Sequence, residues 1–236
     1  MRCVETRGSQ SAPEILENRR FEMTMISVEQ ALPHKKTHSN GAKRILDVSL
    51  TALGLLAIWP VLLVISVAVA STSPGPVFFV QTRVGRDGRT FRMLKFRSMY
   101  QDAEKRRGEI EDMSDRDGIC LKVKRDPRIT PVGRFIRRWS LDELPQLFNV
   151  LSGDMSLVGP RPALVEEVAT YPNHAHGRHE VLPGITGLWQ VSGRADIAFE
   201  EMIELDLYYV RRSSLGTDVR ILLRTFHAVI GGKGAY

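Results

Sequence analysis

Polar and apolar positions divide the chain into unequal stretches. Residues 1–42 are polar, with scattered charges and no sustained apolar period, and they predict a flexible tail. From Val48 to Ala70 the chain carries no charge. Such a run meets the roughly 20 residues that a membrane helix requires, and it is apolar on every face, unlike a soluble core helix. "SPGP" at 73–76 stops it. Beyond it, β-branched and aromatic residues on either side of Asp87-Gly88 predict a hairpin with strands near 77–84 and 90–96. Helical spacing recurs over 99–113, in "RFIRRW", in "LPQLFNVLSG" ending at Gly153, over 162–170 and over 197–212. "SDRDGICLKVKRDPRITPVGR" is loop-like, with Pro127, Pro131 and Gly133 as breaks; "SLVGPRP" is a turn, and 182–194 an ordered loop rich in Gly and Pro. In 216–231, Val219, Leu222, Leu223, Phe226, Val229 and Ile230 share one helical face, while Arg220, Arg224 and His227 lie off it. Packing against the core and lying in a membrane interface both suit that pattern.

The apolar run contains Pro60 near its middle, where a missing N–H and a clash with the preceding turn kink a helix. Basic residues flank it on both sides: Lys35, Lys36, Lys43 and Arg44 before, and Arg83, Arg86, Arg89, Arg92, Lys95 and Arg97 after. Lysine and arginine favour the cytoplasmic side of short flanks, so a spanning helix would satisfy only one of them. A helix that bends at Pro60 and leaves by the face it entered satisfies both. "AVAS" at 68–71 resembles a signal cleavage site, but the run is too long and begins too late in the chain for a signal core. The organisation expected is therefore the tail, a re-entrant anchor over 43–72 bent at Pro60, and a cytoplasmic domain over 73–236. The fold class expected is α+β, mostly helical, with a small β-hairpin and amphipathic interfacial helices.

Composition changes this picture modestly. Of 236 residues, 43% are hydrophobic and 25% charged, as in ordinary folded proteins. The net charge of +6 favours anionic partners, whether nucleic acid, acidic headgroups or phosphorylated substrates. The two cysteines, Cys3 and Cys120, make neither a disulfide framework nor a CxxC metal site, which suits a reducing compartment.

The candidate chemistry lies in "RRWSLDELPQLFNVL", residues 137–151. Ser140-Leu141-Asp142-Glu143 fits a capping box, and acids belong in the first turn of a helix. Pro145 argues against Ser140 as N-cap, since it would then fall where an N–H is needed; with Asp142 as N-cap it would not. Either start puts both carboxylates at a positive helix end and keeps them ionised. An ionised aspartate can attack phosphorus, and an ionised glutamate can bind Mg²⁺. Lys95, Arg97, Arg137, Arg138 and Arg161 are candidate phosphate ligands. His174, His176 and His179 in a turn-rich loop are a weak metal signal, and Asp126 and Asp196 suit structural roles near turns.

"KFRSM", "RITPVGRFIRRWSLDELPQLFNVLSGDMSLVGPRP" and "LPGITGLWQVSGR" together resemble the bacterial sugar transferases, the monotopic polyprenyl-phosphate sugar-1-phosphate transferases (phosphoglycosyl transferases) that begin exopolysaccharide, capsule or O-antigen units. The match covers roughly residues 43–236, in the family's order. The resemblance implies transfer of a sugar-1-phosphate from a UDP-sugar to undecaprenyl phosphate with release of UMP. It implies Asp142 as nucleophile, forming an aspartyl-phosphosugar, and Glu143 as a ligand of Mg²⁺. Lys95, Arg137 and Arg161 match the family's phosphate or active-site positions. It further implies a re-entrant anchor in the inner membrane, a site on the cytoplasmic face, contact with membrane lipid and no nucleic acid. Galactose or glucose is the sugar expected. Many members carry Ser-Pro at the bend, where this chain has Trp59-Pro60.

Overall fold

The computed structural model describes residues 40–103, 105–106, 126–192 and 198–230. Expectations for residues 1–39, for Cys120 and for Asp196 lie outside them. Helix α1 (Asn40–Thr72) is one uninterrupted helix with Pro60 inside it. It is long and apolar enough to cross a membrane. Leu53, Leu56, Trp59, Leu63, Val64 and Val67 are exposed along its middle and second half, Leu56 by 73%. Its two ends are seated on the rest of the protein: Asp47 and Thr51 are buried near one, Ile65 and Val69 near the other.

The hairpin forms as expected, with β1 (Phe78–Val84) paired antiparallel to β2 (Thr90–Phe96). Asp87 and Gly88 take positive φ at its turn. Residues opposite one another in such a ladder share a face. The pairs Phe79–Lys95, Gln81–Met93 and Arg83–Phe91 therefore place Gln81, Arg83 and Lys95 on the same side of the sheet. Beyond β2, Met99 bridges to Ile129 and residues 101–103 make turns, so the described part of 99–113 is not helical. Here Asp102 and its neighbours follow turn geometry because Tyr100 N–H donates to Arg128 O, diverting the backbone toward the second segment.

Pro131 and Gly133 do not break the chain. They open α2 (Pro131–Arg138), capped by Thr130, whose hydroxyl accepts from Gly133 N–H at 2.8 Å. Proline suits the first helical position because its missing N–H has no intrahelical partner there. A 3₁₀ turn over Leu141–Glu143 and helix α3 (Gln146–Ser152) follow, α3 closing on Gly153 in the left-handed region at φ 93°. "SLVGPRP" is more than a turn: β3 (Ser156–Val158) precedes the loop and β4 (Ala163–Leu164) follows it. β4 adds to the free edge of β1. Then come the short α4 (Val165–Val168), a 3₁₀ stretch over Asn173–Glu180, and β5 (Gly184–Thr186), which pairs parallel to β3. Helices α5 (Leu188–Ser192), α6 (Phe199–Arg212) and α7 (Leu215–Ile230) complete the described chain.

The core gathers where these elements meet. Val158, Leu188, Trp189, Leu205, Tyr208, Tyr209 and Ile221 pack β3, α5, α6 and α7 together. Phe96, Ile136, Ile65 and Val69 join β2 and α2 to the anchor. Helix α7 contributes Thr217, Asp218 and Ile221 to the interior and leaves Val219, Leu223 and Phe226 exposed. The expected apolar stripe is thus divided: Leu222 packs with Ile221 on the core, while Val219, Leu223 and Phe226 face outward.

Candidate active site

Asp142 and Glu143 do not sit on a capped helix end. Ser140 is left-handed at φ 54° and its side chain caps nothing. Pro145 cannot donate to Leu141 O, so Leu144 N–H takes that carbonyl in a 3₁₀ bond, and α3 begins only at Gln146. Neither Ser140 nor Asp142 is therefore the N-cap of a continuous helix. Glu143 reaches away from Ser140 altogether: its Oε1 accepts from Lys95 Nζ at 2.7 Å, across from β2.

The two half-buried carboxylates are driven apart as acids. Burial, reinforced by the adjacent Glu143 charge, raises Asp142 from 3.8 to about 6 against the opposing pull of Lys95 and Arg137. Burial also acts to raise Glu143, but Lys95, Arg161 and Arg83 outweigh it and hold that carboxyl below its usual range. The expectation that a positive helix end would favour the ionised form of both acids is corrected for Asp142, because a single 3₁₀ turn offers little dipole to offset desolvation.

Three of the five basic candidates gather at these acids: Lys95 from β2, Arg137 from α2, and Arg161 from the loop between β3 and β4. Arg97 is turned elsewhere, donating to Ser73 O and Pro74 O at 2.6 and 2.8 Å, where it closes the turn after the anchor. Arg138 lies 5.8 Å from the ring centre of Trp139. Asp126 is structural, as expected, bound to Arg128 at 2.7 Å. His176 and His179 pack their rings around Tyr171.

The loop bearing Arg161 is held from all sides. Gly184 N–H donates to Pro160 O at 2.8 Å, Arg178 Nη2 to Arg161 O at 3.0 Å, and Arg83 Nη1 to Pro162 O at 3.2 Å. Gly184 must be glycine, since a Cβ there would lie 2.1 Å from Gly159 N. Arg178 is itself fixed by a buried ion pair with Asp206 and by Tyr171 OH at 2.7 Å. The Arg161 guanidinium lies 6.0 Å from the Trp189 ring centre.

Sequence reasoning missed Arg83, Gln81, Arg178 and Trp189. Strand parity was the available signal for the first two, because they share the face of Lys95. It also missed Lys43 and Asp47. Lys43 Nζ binds Val158 O at 3.1 Å and Asp218 at 2.8 Å, and Tyr209 OH bonds the same pair. Asp47 accepts from Ser156 Oγ at 2.8 Å and Leu157 N–H at 3.1 Å. The anchor thus grips the strand that leads into the Arg161 loop.

Among the described residues no group of three or more His, Cys, Asp or Glu side chains could hold a metal ion alone. The donor chemistry fits Mg²⁺ nonetheless, since this ion is commonly bound by one or two carboxylates together with substrate phosphates. Glu143 is the carboxylate in question, with Lys95 occupying only its Oε1.

A site that pairs one carboxylate raised by burial with one lowered by neighbouring cations, among Lys95, Arg137 and Arg161, is suited to phosphate chemistry. Residues 38–232 match the family described as bacterial sugar transferase, and the chain belongs to that family. It is 46% identical over 195 residues to the galactosyl transferase CpsE of Streptococcus agalactiae serotype III, covering 82% of this chain and 43% of that protein. It is 45% identical over 205 residues to the UDP-glucose:undecaprenyl-phosphate glucose-1-phosphate transferase of Xanthomonas campestris pv. campestris, covering 83% and 40%. The exopolysaccharide production protein ExoY of Rhizobium meliloti is 38% identical over 199 residues, covering 83% and 88%. The matched region is thus less than half of the first two relatives and most of the third.

Proposed function

We propose that this protein transfers a sugar-1-phosphate from a UDP-sugar to undecaprenyl phosphate, releasing UMP, at the cytoplasmic face of the bacterial inner membrane. It would begin an exopolysaccharide or related surface polysaccharide. The observation carrying this reading is the convergence of Lys95, Arg137 and Arg161, from three separate segments, on Asp142 and Glu143. The names of the relatives support a UDP-sugar and a polyprenyl carrier, and they divide between galactose and glucose.

The chemistry follows from the split acidity. At neutral pH Asp142 is mainly ionised yet more basic than an ordinary carboxylate, which favours a nucleophile. Its oxygen attacks the phosphorus that bears the sugar. The bond from that phosphorus to the bridging oxygen breaks, and UMP leaves with the electron pair. An oxygen of undecaprenyl phosphate then attacks the same phosphorus, and the aspartyl bond breaks to restore the carboxylate. Arg137 and Arg161 bind phosphate oxygens, and Lys95 keeps Glu143 ionised and oriented. Mg²⁺, when bound by Glu143 and the diphosphate, offsets negative charge at the reacting phosphorus.

The anchor is read as re-entrant. What supports this is the basic flank on each side of the apolar run, together with the seating of α1 on the same body through Lys43, Arg44 and Asp47 and, further along, Ile65 and Val69. Exposed Leu223 and Phe226 on α7, with Arg220 and Arg224 nearby, suit a helix lying in the membrane interface. External labelling of Lys35→Cys and Arg86→Cys in intact cells should leave both unmodified; modification of either would contradict re-entry.

A panel of UDP-sugars assayed for the released nucleotide tests the reaction. UMP is expected. UDP would instead indicate a metal-dependent glycosyltransferase without a covalent step, and no release with any sugar would leave a membrane-anchored basic scaffold. Intact-protein mass spectrometry with substrate and Mg²⁺, but without lipid acceptor, should show an added hexose-phosphate.

A further inference from the structure

Three donors hold the carbonyls of residues 160 to 162, and one of them, Arg83, is also felt by the acid pair. Gly184 and Arg178 hold Pro160 O and Arg161 O. Arg83 holds Pro162 O, and its charge is also felt by Glu143. It is 8% exposed. Its Nε and Nη2 are locked on Gln81 Oε1 at 3.1 and 2.6 Å, so its fork has a single orientation. Removing a guanidinium from water to satisfy neutral oxygens alone is a poor exchange; a nearby anion makes the placement favourable. Glu143 is such an anion. β4 follows the loop directly and pairs Leu164 with Arg83 itself, so the loop is docked on the same residue through backbone and side chain alike.

We propose that Arg83, oriented by Gln81, is a positioning residue of the phosphate site: by holding the Pro162 carbonyl it sets where the Arg161 guanidinium meets the diphosphate of a nucleotide-sugar. The inference rests on the function proposed above. Arg83 acts through Arg161, so its contribution to substrate binding should vanish when Arg161 is gone. A residue that only supported the hairpin would weaken binding in either background.

The test is a double-mutant cycle on the full chain, purified in detergent, with Asp142→Asn as the parent so that substrate is not consumed. UDP-glucose and UDP-galactose affinities are measured by calorimetry with Mg²⁺. Arg83→Met should weaken binding roughly tenfold, on the order of one charge-assisted hydrogen bond. Adding it to Arg161→Ala should weaken binding no further. Gln81→Met keeps the guanidinium and disturbs the fold less, and it should give a smaller loss, roughly threefold, with the same disappearance in Arg161→Ala. Additive losses, or wild-type affinity in both Arg83→Met and Gln81→Met, would overturn the positioning role. Failure of the parent to bind either UDP-sugar would instead overturn the function on which it rests.

Discussion

Asp142 and Glu143 are neighbours in sequence that the fold makes unequal. Lys95 sits on one and burial dominates the other. If Asp142 is the nucleophile, the rate at saturating substrate should rise as pH increases through about 6 and then level off, with Asp142→Asn inactive at every pH. A measured profile flat across that range would count against the assignment. Stability should change in the opposite sense. An acid raised in the folded state binds more protons there than when unfolded, so Asp142 reduces stability as pH rises from about 4 to about 6. The melting temperature of Asp142→Asn should therefore exceed that of wild type above pH 6 and converge with it near pH 4. Lys95→Met leaves Glu143 half-buried without its ion pair, and kcat/KM should fall by roughly 100-fold or more, the scale of a lost charged partner. Glu143 would then resist ionisation, and the Mg²⁺ concentration needed for half-maximal rate should increase.

At the scale of elements, long patterns were readable and short-range conflicts were not. The hairpin and α6 were evident because alternation and helical spacing persist over many residues. The acid pair stood out in the sequence, but its setting was misread: the capping box was legible, while Pro145 and the pull of Lys95 on Glu143 decide the outcome. Lys95 is 48 residues away in sequence, which no local pattern encodes. For α7 much of the conspicuous stripe, Val219, Leu223 and Phe226, proved to be exposed, while Asp218 and Thr217, polar in sequence, are buried through bonds to Lys43, Tyr209 and Ser214. The parallel pairing of β3 with β5 was invisible, since each strand is three residues long and rich in turn formers. Its tightest point gives a direct check. Gly184→Ala places a methyl against the backbone of Gly159, and it should cost about 1–3 kcal/mol as overpacking does. Chemical denaturation would measure that loss, and an unchanged midpoint would show that the loops can part.

Across the whole molecule, the uncharged apolar run was enough to foresee one long helix able to cross a membrane, but not its polar attachments. Asp47 interrupts the start of the run, and that is the one sequence signal for them. Asp47→Ala would leave the Leu157 N–H without its acceptor, while the Ser156 hydroxyl keeps Val158 O at 3.0 Å; a loss of about 1–3 kcal/mol follows from the stranded donor. Thermal unfolding in detergent or nanodiscs should report it, and wild-type stability would mean that water or another side chain substitutes. Because Asp47 is buried against Ser156 and Leu157 and Lys43 is bonded to Val158 and Asp218, the start of α1 is a part of the folded body rather than a tether to it. A fragment cut off after the apolar run would lose part of its own core, so a more soluble version of this protein calls for redesigning the exposed apolar side of α1 while leaving its inner edge intact.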